Sequence, residues 1–211
     1  MLQPGGFRVA ARGENHATVR HIMSVAGLRV TGGRFGGRRL RSPSGGLRPS
    51  ADRVREALFA RLGELGGVAV LDLYAGTGAL GIEAVSRGAD AVVYVERAPR
   101  CLAALRANLE ALGLEGVSRV IADDAPRAVR RLGRSGERFD LLLLDPPYAS
   151  DEVRRALEAV SESGVLAEGA MVVVEHGKRH ALPAVAGLVV LDARRYGDTV
   201  ITRLTAEEAG E

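Results

Sequence analysis

The stretch Val70-Leu-Asp72-Leu-Tyr74-Ala-Gly76-Thr-Gly78-Ala-Leu-Gly81 reads as a strand end, a glycine turn and the opening of a helix. The run at 68–73 is apolar apart from Asp72, and Gly76, Gly78 and Gly81 complete a GxGxxG spacing. Glycine lets the backbone turn sharply and lets a ligand approach the main chain closely. The spacing alone fits a dinucleotide or another adenosine cofactor. It also fits glycines used only for a tight strand-to-helix turn.

Outward from this turn the alternation repeats. Apolar runs at 91–95, 117–122, 139–144 and 171–175 read as strands. Segments 79–87, 99–112, 125–132 and 152–163 read as helices, and 188–193 with 199–204 as a closing pair of strands. Val- and Leu-rich runs separated by helices predict an α/β fold with a mostly parallel sheet covered on both faces. Ligands on such sheets sit beyond the strand carboxyl ends, near the switch point.

The acids discriminate between cofactors. Asp72 stands four residues before Gly76, where a carboxylate repels a pyrophosphate and attracts a positive charge. S-adenosylmethionine carries a sulfonium and an amino group. Glu96 ends the next strand, and from there a carboxylate can accept both ribose hydroxyls. Asp123-Asp124-Ala125 ends the third. Asp124 is the candidate acceptor for the adenine amino group, with the Ala125 backbone beside it, although Asp123 is an equal neighbour. One acid at a strand end is most often a helix cap; three on one edge point to a ligand. Tyr74 either flanks the cofactor or packs in the core.

The fourth strand ends in Asp145-Pro146-Pro147-Tyr148. The prolines fix φ and remove N–H donors, so the local carbonyls stand in a rigid frame. Such a frame suits methylation of an exocyclic amino group, whose lone pair is delocalised into its ring. Asp145 and the Pro146 carbonyl can each accept one N–H, leaving the lone pair to face a sulfonium methyl. Tyr148 offers a ring to stack on a base withdrawn from its neighbours. No metal is required.

With 211 residues, 46% apolar and 26% charged, the chain can bury a core. No apolar run approaches the ~20 residues of a membrane span and no secretory leader opens the chain, so a cytoplasmic protein is expected. Cys101 alone excludes an internal disulfide and a cysteine-based zinc cluster; it reads as a small packed hydrophobe. His16, His21, His176 and His180 lack HExxH spacing. His176 and His180 read as local hydrogen-bond partners.

The net charge is +3, and the basic residues are nearly all arginine; Lys178 is the only lysine. Arg29, Arg34, Arg38, Arg39, Arg41, Arg48, Arg53 and Arg55 face one acid, Asp52. An excess this local is the footprint of a phosphate backbone, or else a solvated surface. The first seven are the candidate RNA contacts. Residues 1–24 show no period and are expected to be a disordered leader, with Met23 a candidate true start. Residues 25–62 read as a basic hairpin and helix, and 63–211 as the α/β domain.

Together these motifs resemble a known family. Gly76-x-Gly78 with Asp72, Glu96 and Asp124 resembles the class I methyltransferase cofactor site, and Asp145-Pro-Pro-Tyr148 the (D/N)PP(Y/F) motif of amino-group methyltransferases. Upstream, Val30 to Leu40 and Leu47 to Phe59, and downstream Tyr196-Gly-Asp198-Thr-Val, are similar to bacterial 16S ribosomal RNA guanine-N2 methyltransferases of the RsmD type. The likeness spans about residues 28 to 205. It implies a Rossmann-like, seven-stranded methyltransferase domain over 63–211 and a small N-terminal β-hairpin. It implies S-adenosylmethionine as cofactor and guanine 966 of 16S rRNA, within a largely assembled small subunit, as substrate. It implies that segment 48–56 lies over the active site; nothing in the sequence argues for more than a monomer, so a monomer is expected. Asp-Pro-Pro-Tyr alone does not separate guanine N2 from adenine N6, so an N6-adenine methyltransferase of DNA or RNA is the nearest rival. An NAD-dependent oxidoreductase and a non-catalytic RNA-binding module are further alternatives.

Overall fold

The computed structural model describes residues 28–43, 49–147 and 151–207. The expectations for the leader, Met23, Arg48 and Tyr148 lie outside the described residues. Helix α1 (Pro49–Leu62) is followed by β1 (Ala69–Leu73), α2 (Ala79–Ser86), β2 (Ala91–Glu96), α3 (Pro99–Leu112) and β3 (Ser118–Ala122). Then come α4 (Ala125–Arg134), β4 (Phe139–Leu144), α5 (Glu152–Ser163), β5 (Leu166–Gly177), β6 (Leu188–Tyr196) and β7 (Thr199–Ala206). The sheet runs β3-β2-β1-β4-β5-β7-β6. Its first five strands are parallel, and β7 is antiparallel to both β5 and β6. Strand order reverses between β1 and β4, so their carboxyl ends form the switch point.

The strands bury both faces because successive side chains alternate. Val70, Val92, Tyr94, Leu141, Leu143 and Val173 pack with Val54, Leu58 and Phe59 of α1, Ile82 of α2 and Leu105 of α3. Leu71, Leu73, Val93, Val95, Leu142 and Leu144 pack against Val129 and Leu132 of α4 and Leu157 and Val160 of α5. Three helices thus cover one face and two the other. Among the described residues no helix is long and apolar enough to cross a membrane.

Two elements start two or more residues earlier than expected. Helix α1 starts at Pro49 rather than Ala51, since proline's fixed φ suits a first turn that needs no N–H donor. Strand β5 begins at Leu166, five residues early. Its register against β4 shifts between Phe139 and Leu141, and Gly169 adopts φ 68°. An irregular strand of this kind carries no alternating apolar signal.

The expected hairpin is a single antiparallel bridge, Arg29 with Arg39, around a 3₁₀ turn at Gly33–Phe35. Its few backbone bonds would not hold it alone; polar side chains of α2 and α3 anchor it. The fully buried Glu83 accepts the Thr31 N–H at 2.8 Å and its hydroxyl at 2.7 Å. Arg87 Nε donates to Glu83 at 3.2 Å, and Arg55 Nε lies 3.5 Å from it. Ser86 donates to Gly32 O at 2.6 Å and accepts the Phe35 N–H at 2.9 Å. Asn108 accepts the Arg41 N–H at 2.7 Å and donates to Arg41 O at 3.1 Å. At Gly33 a Cβ would stand 1.9 Å from Ser86 O, so a side chain there is excluded. At the far end of α1, Arg61 bonds Asp192 of β6 at 2.9 Å.

Replacing Glu83 would leave Arg87 without its counter-charge and Arg55 with Asp52 alone, and would orphan the Thr31 N–H and hydroxyl. Glu83→Ala is expected to lower the unfolding free energy by about 3–5 kcal/mol. Urea titration measures it, and a loss under about 1 kcal/mol would refute the anchoring role.

Candidate active site

A cavity of about 1190 Å³ opens beyond the carboxyl ends of β1, β2 and β4. Tyr74, Glu96, Ala125, Asp145, Pro146 and Pro147 line it together. Asp72, Gly76, Gly78, Gly81 and Asp124 are outside its lining.

The β1–α2 turn explains the division. Beyond Leu73 the chain turns through Tyr74 at φ 61°, Gly76 at φ 57° and Gly78 at φ 82°. A tyrosine in the left-handed region costs on the order of 1–3 kcal/mol, and such strain clusters at functional sites. Around a Cβ placed on Gly76 the nearest heavy atom is Tyr74 O at 3.9 Å, so this backbone faces open space. On Gly78 a Cβ would meet Leu105 at 2.4 Å, and on Gly81 it would meet Tyr94 at 2.3 Å. Those two glycines serve helix–sheet packing, which corrects their reading as cofactor contacts.

Asp72 is corrected as well. Its side chain is fully buried, and Oδ2 accepts the Gly81 N–H at 2.9 Å. It pins the first turn of α2 to β1 instead of facing the cavity. Its Oδ1 has no hydrogen-bond partner. Burial pushes the carboxyl up to about 7 from 3.8, and the nearby Glu96 charge adds to the rise.

Glu96 ties two loops together. Oε2 accepts the Gly76 N–H at 2.8 Å, and Oε1 accepts those of Arg97 at 2.8 Å and Ala98 at 2.7 Å. A carboxylate offers about four lone-pair sites, so capacity remains toward the cavity. Of the acid pair after β3, Asp123 lines the cavity. It accepts the Asp124 N–H at 2.8 Å and an Arg131 N–H at 3.1 Å. Asp124 turns to Arg97 at 3.4 Å and Arg155 at 3.9 Å. Tyr74 donates its hydroxyl to Glu152 O at 3.3 Å. Burial, then the Glu152 and Asp124 charges, push its phenol up, so the ring stays neutral at physiological pH.

At the end of β4 the Asp145 N–H donates to Leu73 O at 3.5 Å, which fastens the proline turn to β1. Pro146 is buried, while Asp145 and Pro147 are exposed. The lining holds six carboxylates (Glu96, Asp123, Asp145, Glu152, Glu175 and Asp198) against Arg97, Lys178 and Arg179. An acidic hollow with an open glycine backbone and a carboxylate at the second strand end fits a cationic adenosyl ligand. S-adenosylmethionine is the cofactor these residues suit.

Sequence reading missed the opposite wall, built by Glu175 near the end of β5, by Lys178, Arg179 and His180 just after it, and by Tyr196 to Thr199 where β6 turns into β7. The Gly197-Asp198 turn between two apolar runs was its available signal. Ala51 reaches the cavity from α1. His176 is a local partner as expected, bonded to Thr202 Oγ1 at 2.9 Å and His180 O at 3.0 Å. Of the arginines, Arg29, Arg34, Arg38, Arg39, Arg41 and Arg53 are exposed. Arg55 instead turns inward to Arg29 O, Asp52 and Glu83.

The raised Asp72 carboxyl has a sign that can be tested. Between about pH 4 and pH 7 the folded ligand-free protein binds a proton that the unfolded chain releases, so Asp72 subtracts stability as pH rises. Wild type should lose stability relative to Asp72→Asn across that window in urea titrations; a constant difference would count against it.

The family described as conserved hypothetical protein 95 matches residues 28–205. The chain is 34% identical over 184 residues to ribosomal RNA small subunit methyltransferase D of Escherichia coli, covering 86% of this chain and 91% of that one. It is 35% identical over 175 residues to YlbH of Bacillus subtilis, covering 82% and 95%. The solved structure of yhhF from Escherichia coli superposes with a TM-score of 0.76 at 31% identity, covering 85% and 97%. With the motifs, fold and cavity above, these likenesses make the chain a member of the conserved hypothetical protein 95 family, the RsmD-type S-adenosylmethionine-dependent methyltransferases.

Proposed function

We propose that the protein methylates the exocyclic N2 of a guanine in 16S ribosomal RNA, using S-adenosylmethionine. The observation that carries this reading is the meeting of Asp145, Pro146 and Glu96 in one acidic cavity at the switch point. The named relatives supply the nucleic acid: the Escherichia coli protein is a ribosomal RNA small subunit methyltransferase.

When bound, the cofactor supplies an electrophilic methyl on a sulfonium. Glu96 holds the ribose, the open backbone at Gly76 lets the cofactor approach, and the loop of Asp123 to Ala125 meets the adenine. Asp145 and the Pro146 carbonyl each accept one N–H of the amino group, which tips the nitrogen out of conjugation. Asp145 then holds the surplus proton as the amine becomes positive. Tyr148 stacks on the withdrawn base. The exposed arginines from Arg29 to Arg53 grip phosphates of the small subunit, and the enzyme acts as a cytoplasmic monomer.

Two measurements test this reading. Asp145→Ala should lower kcat by about 100-fold or more, with RNA and cofactor affinities held within about threefold. Unchanged methyl transfer to ribosomal subunits lacking the mark would reject the role of Asp145. Arg38→Ala with Arg41→Ala should weaken RNA binding and flatten the slope of log K against log salt by about 1 to 2. An unaltered slope would remove the phosphate grip.

A further inference from the structure

Lys178 is the only lysine in a chain with 29 Lys and Arg residues. It follows the last residue of β5 in the cavity wall, and its ammonium pairs with Asp198 in the β6–β7 turn. The backbone repeats the contact, Lys178 N–H donating to Asp198 O at 2.9 Å. The pair is not consumed by packing, since the Lys178 side chain is 33% exposed and that of Asp198 88%. A compact ammonium on a flexible stem is therefore held beside a carboxylate, which a planar guanidinium would not reproduce.

Register sets this pair above the proline turn. Leu144 pairs with Val174, so Asp145 stands beside the Glu175 end of β5. Gly177 pairs with Thr199, the neighbour of Asp198. From Glu175 to Gly177 is two extended steps, roughly 7 Å. The wall beyond the turn thus presents Lys178 as a compact cationic donor and Asp198 as an anionic acceptor, paired with each other, to the same cavity, with Glu175 and Arg179 beside them.

Asp145 and the Pro146 carbonyl serve only an amino group, and both guanine and adenine have one. The neighbouring atoms differ. Beside its 2-amino group guanine presents the N1–H donor and then the O6 acceptor. Adenine, entering by its 6-amino group, presents the N1 lone pair and then a C–H. We infer that Asp198 accepts guanine N1–H while Lys178 donates to O6, so that this pair selects guanine over adenine. The inference rests on the guanine-N2 reading above and assigns its base selection. Adenine would set a lone pair against the Asp198 carboxylate and leave the ammonium without an acceptor, a mismatch that binding rejects once the seated base covers the pair.

The test uses the full chain and small subunits reconstituted with either guanine or 2,6-diaminopurine at the target position. 2,6-Diaminopurine keeps the 2-amino group but reverses donor and acceptor at the other two positions. Wild type should prefer guanine in kcat/KM by about 100-fold or more. Asp198→Asn alone, and combined with Lys178→Gln, should narrow that preference below about tenfold, because the new side-chain amides can match the reversed pattern. Equal loss on both bases in the single and double variants would overturn the inference, leaving the pair a latch or a phosphate contact. So would a wild type that methylates both bases equally. Absence of methylation of the guanine subunit by wild type would instead sink the guanine-N2 reading, and the inference with it.

Discussion

The turn from β1 into α2 is clamped at both ends by carboxylates, and the site's geometry follows from that constraint. Asp72 holds Gly81 from below, while Glu96 holds Gly76 from the side. Between them Tyr74 and Gly76 are kept in the left-handed region, with Ala75 N–H donating to Val95 O at 3.0 Å. Parallel strands deliver β1, β2 and β4 to one rim. The clamps then decide which parts of that rim are packed shut and which stay open. Gly78 and Gly81 let α2 settle on Leu105 and Tyr94, which leaves Gly76 as the glycine of the turn with open space before it.

Much of this was legible in the sequence, because regular packing leaves periodic marks. Helices α3 and α5 and strand β4 match their expected ranges, since each is an uninterrupted apolar pattern between clear breakers. The strand-end residues Glu96 and Asp145 both line the cavity, because a parallel sheet places its carboxyl ends together. Asp72 read wrongly for a physical reason. Strand alternation says that a residue sits at an edge, but the twist of the following turn decides whether its side chain meets ligand or core. Arg55, counted in the basic excess but not among the candidate RNA contacts, turns inward because the buried Glu83 and the neighbouring Asp52 draw it inside, which charge counting alone does not reveal. The wall from Glu175 to His180 escaped notice because it begins at the polar end of a strand and runs into a turn, where no apolar period continues.

Helix α1 joins the two halves of the molecule. Phe59 is fully buried against the sheet, and Ala51 reaches the cavity. Arg61 meets Asp192, whose carboxyl the bonds from Arg203 and Arg61 hold well below the usual carboxylate range. The segment carrying the exposed arginines is therefore fixed relative to the acidic hollow.

The anchoring of residues 28–43 has a consequence for how the chain is made. Thr31, Phe35 and Arg41 take their partners from positions 52, 51 and 67 residues downstream. Synthesis delivers the arginines first and their moorings much later, after α2 and α3 have left the exit tunnel. Closing loops of that length costs only a logarithmic entropy, so the delay is one of order rather than of energy. The arm gains its moorings only once α2 and α3, in the first half of the Rossmann unit, exist to receive it.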